Sequence, residues 1–312
     1  METAIKSIPF NQVTTNPEPT ILTGKQIFDK WFSADGGIVI GSAIYVSGTS
    51  GAGKTTLMVN LMKWLKEYKT SMYLREMESG NVKQQTRNID FDHNNAFVCD
   101  IKSCENFNEY MKELDVLKPK VVIIDSLQVI AKEDYEVIGA VSEDAACYKI
   151  IKKLREWISK NNAILFLIGH NAKGKKGDNF AGKNTIIQMM DAHIAMTHDK
   201  ERDCRIIEWG QKNRKGEMGS LMYSFEKSGI EFYTEEQWKA KNSAIKNEDF
   251  KQSFVNFTIN YISNVNIESE AGLKLVQEYN KSIKKINKTD DVEKLSVDLF
   301  ALMMELSNKH EM

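Results

Sequence analysis

The chain has 312 residues, which is enough for one large domain, or for one domain with an appendage, around a sizeable core. Its formal net charge of -1 excludes a general attraction to nucleic acid, so any such contact must come from a local basic patch. The sequence has no run long and apolar enough to span a bilayer, no signal-peptide pattern and no Cys-x-x-Cys pair. We therefore expect a cytoplasmic protein with reduced thiols.

Short apolar runs alternate with amphipathic patterns over most of the chain. The runs that predict buried strands are 43–47, 71–74, 96–99, 121–124 and 163–168. The patterns that predict helices cover 55–68, a stretch that begins at Ser103 as its N-cap, and 142–160. Because apolar strands alternate with helices, the chain is predicted to be an α/β protein with a mostly parallel, twisted sheet flanked by helices.

The later part of the chain has a different spacing. Its strand-like runs, at 193–197, 205–209, 221–225 and 230–233, lie close together and predict antiparallel strands at one side of the sheet. Beyond them, Phe250, Phe254 and Phe257 fall at helical spacing. We predict an irregular N-terminal arm over residues 1–20, an α/β core over 21–234 and a helical C-terminal appendage over 235–312.

A glycine-rich segment follows the first predicted core strand. Residues 48–55 read Gly-Thr-Ser-Gly-Ala-Gly-Lys-Thr, and an amphipathic helix comes directly after them. Such a turn points backbone N–H groups at a triphosphate, and the helix adds its N-terminal dipole. Lys54 is expected to reach the β- and γ-phosphates of ATP, and the Thr55 hydroxyl to hold Mg²⁺. The predicted nucleotide-binding residues are Gly48, Thr49, Ser50, Gly51, Ala52, Gly53, Lys54, Thr55 and Thr56.

An acidic residue is predicted to belong to the same site. Asp125 follows the apolar run 121–124, so its carboxylate is expected at the carboxyl end of a buried strand. Beside a phosphate loop, a carboxylate in that place holds the water shell of Mg²⁺. The alternative is an Asp that only caps a loop.

One local basic patch stands out against the near-neutral chain. The glycine-rich stretch 173–183 carries cations for phosphate groups and one aromatic ring for base stacking. Its predicted DNA-binding residues are Lys173, Lys175, Lys176, Phe180 and Lys183. The residues alone leave a solvated surface loop as the alternative.

Together these segments resemble the RecA-type ATPase core, and they most resemble the RadA (Sms) branch of bacterial DNA-repair proteins. The resemblance covers about residues 21–233 and is carried by Thr23-Gly24, 36–42, the phosphate loop, 122–128, 169–173 and 212–216. The Lys-Asn-Arg of the last segment also resembles DnaB-type replicative helicases. The four-cysteine zinc element and the Lon-like domain of RadA find no counterpart here. A core of this kind is similar to short phage recombination ATPases of the Sak type, which makes a phage or mobile-element origin plausible.

The resemblance implies further roles. A Glu just beyond the strand at 71–74 would orient the attacking water; Glu76 and Glu78 both qualify, and Glu76 is favoured because Glu76-Met77 resembles the Glu-Met of DnaB. His170 would sense the γ-phosphate. Lys212 and Arg214 would reach the γ-phosphate of a neighbouring subunit, which implies a ring or filament of identical subunits. Segment 173–183 takes the place of the second DNA loop, and the acidic segment 132–141 that of the first.

The resemblance therefore leads us to expect a Mg²⁺-dependent, DNA-dependent ATPase of recombination or repair. It would bind single-stranded DNA and promote annealing, strand exchange or branch migration. One alternative is a DnaB-like helicase motor. Another is a KaiC-like regulatory ATPase that acts on protein partners, for which the helices of 235–312 would supply contacts; these helices could equally be a structural cap.

Overall fold

The computed structural model describes residues 18–89, 94–170, 183–199, 204–226 and 229–242, together with Gln277 and Lys281. The chain divides into two compact units, Met1–Glu235 and Glu236–Met312. The fold given below is that of the first unit. The predicted helical appendage lies almost entirely outside the described residues. None of the helices in the described part of the chain is long and apolar enough to cross a membrane.

Strands and helices alternate as the apolar pattern predicts. The strands are β1 (Thr20–Ile21), β2 (Ile38–Val39), β3 (Ala43–Gly48), β4 (Thr70–Leu74), β5 (Ala96–Cys99), β6 (Val121–Asp125), β7 (Ile164–His170), β8 (Ala192–Asp199), β9 (Cys204–Trp209), β10 (Gly219–Glu226) and β11 (Gly229–Tyr233). The helices are α1 (Gln26–Asp29), α2 (Lys54–Trp64), α3 (Ser79–Gln85), α4 (Phe107–Leu117), α5 (Leu127–Glu133), α6 (Glu143–Asn161) and α7 (Lys183–Met189).

Within the described residues, nine strands form one sheet in the order β11-β10-β9-β8-β3-β7-β6-β4-β5. The six strands from β8 to β5 run parallel, and β9, β10 and β11 are antiparallel to their neighbours. The predicted fold class is therefore confirmed. Strand β8, which was expected among the antiparallel strands, pairs antiparallel with β9 on one side and parallel with β3 on the other. The parallel pairing of β8 with β3 joins segments that are far apart in the chain, so the short spacing between the later strands does not reveal it.

Two apolar layers cover the sheet, and the alternation of side chains along each central strand divides them. Ile44 and Val46 of β3 pack into the layer that contains α1 and α2, whereas Ala43 and Tyr45 pack into the layer that contains α4, α5 and α6. The same period of two holds for β6 and β7. Both faces of the parallel strands are thus buried, as their continuously apolar sequences require.

The cap of α4 differs from the prediction. Asn106, not Ser103, is the N-cap, and its side-chain oxygen accepts a hydrogen bond from the Glu109 N–H at 3.2 Å. The Ser103 hydroxyl donates instead to Asp100 at 3.1 Å. Both residue types are good caps, so the choice depends on which one the preceding turn brings into line with the helix.

Candidate functional site

The glycine-rich segment forms the link between β3 and α2. Gly51 and Gly53 have φ values of 79° and 91°, a left-handed conformation that side-chain-bearing residues seldom adopt. Gly53 stands directly before the first helical residue, Lys54. The loop therefore wraps around the N-terminus of an 11-residue helix, where backbone N–H groups and the helix dipole favour an anion.

Lys54 lies inside this loop. Its side chain is buried, and its Nζ donates to the carbonyl oxygens of Gly48 at 3.0 Å and Thr49 at 3.1 Å. Burial lowers the pKa of the Lys54 ammonium, and the carboxylates of Asp125 and Glu76 oppose that effect. The ammonium is therefore held next to the loop that would receive a phosphate.

Strand β10, which forms an antiparallel hairpin with β11, packs against the glycine-rich loop. The Tyr223 hydroxyl donates to the carbonyl oxygen of Ala52, and a β-carbon at Gly53 would collide with the Phe225 ring. The Arg205 guanidinium lies 4.7 Å from the centroid of that ring. None of these three residues was predicted to belong to the site. Tyr223 and Phe225 are two positions apart on one strand and so share a face, but nothing in the sequence links that face to the loop.

A cavity of about 190 Å³ opens beside the same ring. Its lining includes Thr56, Gln85, Asn88, Phe225 and Glu226. It lies against the first turn of α2, next to the phosphate loop. The combination of one aromatic face with amide and carboxylate groups suits a planar, polar ring system.

Thr55 and Asp125 meet as predicted for a magnesium site. The Thr55 hydroxyl donates to Asp125 Oδ2 at 2.6 Å. Burial raises the pKa of the Asp125 carboxyl, and the Thr55 hydrogen bond opposes this rise. A hydroxyl and a carboxylate are the hard oxygen ligands that Mg²⁺ prefers, and a cation would stabilise the buried carboxylate, so these two residues fit that ion.

Glu76 and His170 complete the cluster. Glu76 Oε1 lies 2.5 Å from His170 Nε2 and accepts a hydrogen bond from the Ser126 hydroxyl at 2.6 Å. The hydrogen bond with His170 lowers the pKa of Glu76, against the effect of burial. One ligand atom each of Glu76, Asp125 and His170 lies within 4.8 Å of the others. Three strand ends, those of β4, β6 and β7, thus bring these groups to one place.

Glu78 lies apart from that cluster. Its carboxylate pairs with Lys102 at 2.7 Å, and the two side chains are 51% and 68% exposed. Of the two carboxylates that the sequence left as candidates, the structure therefore brings only Glu76 to the phosphate loop.

Lys212 and Arg214 lie at the opposite end of the parallel strands. Arg214 N donates to the carbonyl oxygen of Asp191, and Asp191 N donates to that of Ala43, the first residue of β3. The phosphate loop begins after the last residue of β3, roughly 16 Å away at about 3.3 Å per residue. These cations therefore do not reach the loop of their own chain.

Both cations have partners within the chain. Lys212 Nζ donates to the carbonyl oxygens of Ile187 at 3.0 Å and Gln188 at 2.6 Å, in the last turn of α7. Arg214 Nη1 is 3.6 Å from Asp191 Oδ1, and the Arg214 side chain is 56% exposed. Arg214 is thus loosely held, whereas Lys212 is engaged by a helix end.

The predicted DNA-binding residues Lys173, Lys175, Lys176 and Phe180 lie outside the described residues. Lys183 begins α7, and only its backbone is described. The segment joins His170, at the end of β7, to α7.

The comparisons with known proteins agree with this architecture. The chain is 27% identical over 198 residues to the DNA repair protein RadA of Streptococcus pyogenes, which is 62% of this chain and 42% of that protein. It is 26% identical over 219 residues to RadA of Listeria monocytogenes, covering 69% and 45% of the two chains. With RadA of Haemophilus influenzae the identity is 24% over 222 residues, covering 70% and 46%. The chain thus spans less than half the length of these relatives.

The fold also matches a solved structure. A KaiC-like protein from the archaeon Pyrococcus horikoshii superposes with a TM-score of 0.56 at 18% identity, covering 70% of this chain and all of that one. No model of a known protein family matches the sequence. The resemblance stated from the motifs is confirmed: the chain is similar in sequence to the RadA DNA repair proteins, and its fold is similar to that of a KaiC-like protein.

Proposed function

We propose that this chain is a Mg²⁺-dependent ATPase that works on single-stranded DNA in recombination or repair. The observation that carries the proposal is the meeting of Lys54, Thr55, Asp125 and Glu76 around one phosphate loop. The similarity to RadA supports the task in repair.

In this proposal each group has a separate task. The loop amides and Lys54 bind the phosphates, while Thr55 and Asp125 would hold Mg²⁺, which when bound would supply positive charge to the phosphates. Glu76 is ionised, because its pKa is lowered, and it orients the attacking water as an acceptor. Ser126 and His170 hold its carboxylate in place. His170 also directly precedes segment 171–182 in the chain. In this proposal, a change at the γ-phosphate moves His170 and, through it, the proposed DNA loop.

The nucleoside would lie in the cavity beside Phe225. We expect Phe225→Ala to raise the KM for ATP by about tenfold, since the base loses a stacking surface that contributes roughly 1–3 kcal/mol. Steady-state kinetics with increasing ATP measure this. Phe97→Ala is the matched control, because Phe97 is a similarly exposed ring on the edge strand β5. An unchanged KM for the Phe225 variant would contradict this placement of the base.

The basic segment is the proposed contact with DNA. We expect the double variant Lys175→Glu, Lys176→Glu to weaken single-stranded DNA binding by at least about tenfold while basal ATP turnover stays the same, because several phosphate contacts are replaced by repulsion. Fluorescence anisotropy of a labelled oligonucleotide at two salt concentrations measures this.

The control for that variant is Lys152→Glu, Lys153→Glu, which makes the same change of charge in an adjacent lysine pair on the exposed face of α6. The control is expected to bind DNA nearly as the wild type does. Normal DNA binding by the Lys175, Lys176 variant would show that the DNA contact lies elsewhere.

A regulatory ATPase that acts on protein partners is the second candidate, and one observation favours it. Segment 132–141, which takes the place of the first DNA loop, carries the exposed carboxylates of Glu133 and Glu136 beside the exposed Val137 and Val141. That surface suits a protein better than a phosphate backbone. Single-stranded DNA stimulates ATP turnover if the first proposal holds and leaves it unchanged if the second does. Unwinding of a forked duplex would instead indicate a DnaB-like helicase motor.

A further inference from the structure

Arg75 directly precedes Glu76, and the proposed mechanism gives it no task. Its side chain is only 3% exposed. Nη2 donates to Glu133 Oε2 at 2.6 Å and to Asp134 Oδ1 at 3.2 Å, and Nε donates to Glu133 Oε2 at 3.1 Å. Nη1 donates to the carbonyl oxygen of Glu105 at 2.7 Å. The guanidinium thus joins the Glu76 segment to the end of α5 and to the residues before α4.

The other end of α5 reaches the same segment by a different route. Ser126 is the N-cap residue of α5, and its hydroxyl donates to Glu76 Oε1. Gln128, in the first turn, accepts a hydrogen bond from His170 N at 3.3 Å. The seven-residue helix, about 10 Å long, is therefore tied to the Glu76 segment at both of its ends.

The ion pair between Arg75 and Asp134, at the C-terminal end of α5, restricts where the Glu76 segment can lie. The Asp134 side chain is 4% exposed, and its second oxygen accepts a hydrogen bond from Phe107 N at 2.7 Å. A buried ion pair adds little net stability but tolerates little displacement, because each charge needs its partners. The backbone of Arg75 is fixed as well, since its N–H donates to the carbonyl oxygen of Asp125 at 2.8 Å. Few positions of the segment satisfy all of these contacts.

We propose that Arg75 is a positioning residue, which sets the place of the Glu76 carboxylate through its fork of bonds to the C-terminal end of α5. The proposal rests on the proposed ATPase function, in which Glu76 orients water. Arg75 itself touches no phosphate or reacting atom in this scheme. A displacement of about 1 Å at a group that orients a reactant can lower a rate by two orders of magnitude, so loosening this brace affects kcat.

The test uses Glu133→Ala, because alanine removes the acceptor of two Arg75 hydrogen bonds and the Glu133 side chain is 44% exposed. We expect kcat for ATP to fall by about tenfold or more while the KM and the affinity for Mg²⁺-ATP stay within about twofold of wild type. Arg75→Lys keeps the charge but loses the fork, and it is expected to lower kcat similarly. The double variant should be no slower than the slower single variant, since both changes break the same contact.

Lys102→Ala is the matched control, because it breaks an exposed ion pair on the same segment without touching α5. It is expected to keep the kcat of the wild type. Thermal unfolding of all variants separates positioning from folding. The proposal is overturned if Glu133→Ala keeps its kcat, or if kcat, KM and the melting temperature all deteriorate together. A wild-type protein that hydrolyses no ATP would overturn the proposed function itself, and this proposal with it.

Discussion

Lys54→Ala is expected to abolish ATP hydrolysis, with a loss of about a hundredfold or more in kcat. The ammonium is the only side-chain cation that the described residues place inside the phosphate loop, next to Gly48 and Thr49. Without it, the charge that develops on the transferred phosphoryl group loses its nearest fixed counter-charge from the protein. A colorimetric phosphate-release assay at saturating Mg²⁺-ATP measures the effect.

The same variant is expected to remain folded. Lys54 is a buried ammonium whose pKa is lowered by burial, so its removal takes away a charge that the fold does not favour. We expect the melting temperature without nucleotide to be equal to or above that of the wild type, whereas Mg²⁺-ATP should stabilise only the wild type. Lys63→Ala, a cation in the last turn of the same helix, is the control. Hydrolysis at the wild-type rate by Lys54→Ala would refute the assignment of the loop.

Arg214→Ala is expected to lower hydrolysis by about a thousandfold while it leaves nucleotide binding intact. Arg214 lies at the end of β3 that is remote from the loop of its own chain, and its contact with Asp191 is long and exposed. Its loss should therefore cost little stability. Because Arg214 does not reach the loop of its own chain, we propose that it acts at the loop of a second subunit.

A mixing experiment tests that geometry directly. Arg214→Ala subunits keep a complete phosphate loop, and Lys54→Ala subunits keep the arginine. Each variant alone is inactive, but a random mixture in equal amounts should regain activity at about a quarter of its subunit interfaces. Lys215→Ala, which removes the neighbouring cation and its pair with Glu18, is expected to stay active without mixing. If the two inactive variants remain inactive together, the arginine does not act between subunits.

Part of the site was accessible from residues that are close in the sequence. The glycines, Lys54 and Thr55 belong to one continuous loop, and Asp125 follows one continuous apolar run, so local spacing was sufficient to predict that Thr55 and Asp125 meet beside the loop. The choice between Glu76 and Glu78 was different. Both follow β4 within four residues, and a shift of two positions in an irregular segment changes which carboxylate faces inward. Contacts from Ser126, the N-cap of α5, and from His170, at the end of β7, bring Glu76 to the site.

Local chemistry encoded in consecutive residues was thus enough for the α/β class, the glycine-rich loop and the place of Asp125 at the end of a buried strand, because hydrophobic periodicity and glycine conformation act over a few positions. Pairing across the sheet was needed for the rest. Strand pairing places β8 parallel to β3 and brings Tyr223 and Phe225 against the loop. A side-chain contact joins Arg75 to Glu133, 58 positions away. Such contacts form where distant segments share a buried surface, and a single sequence does not specify which segments those are.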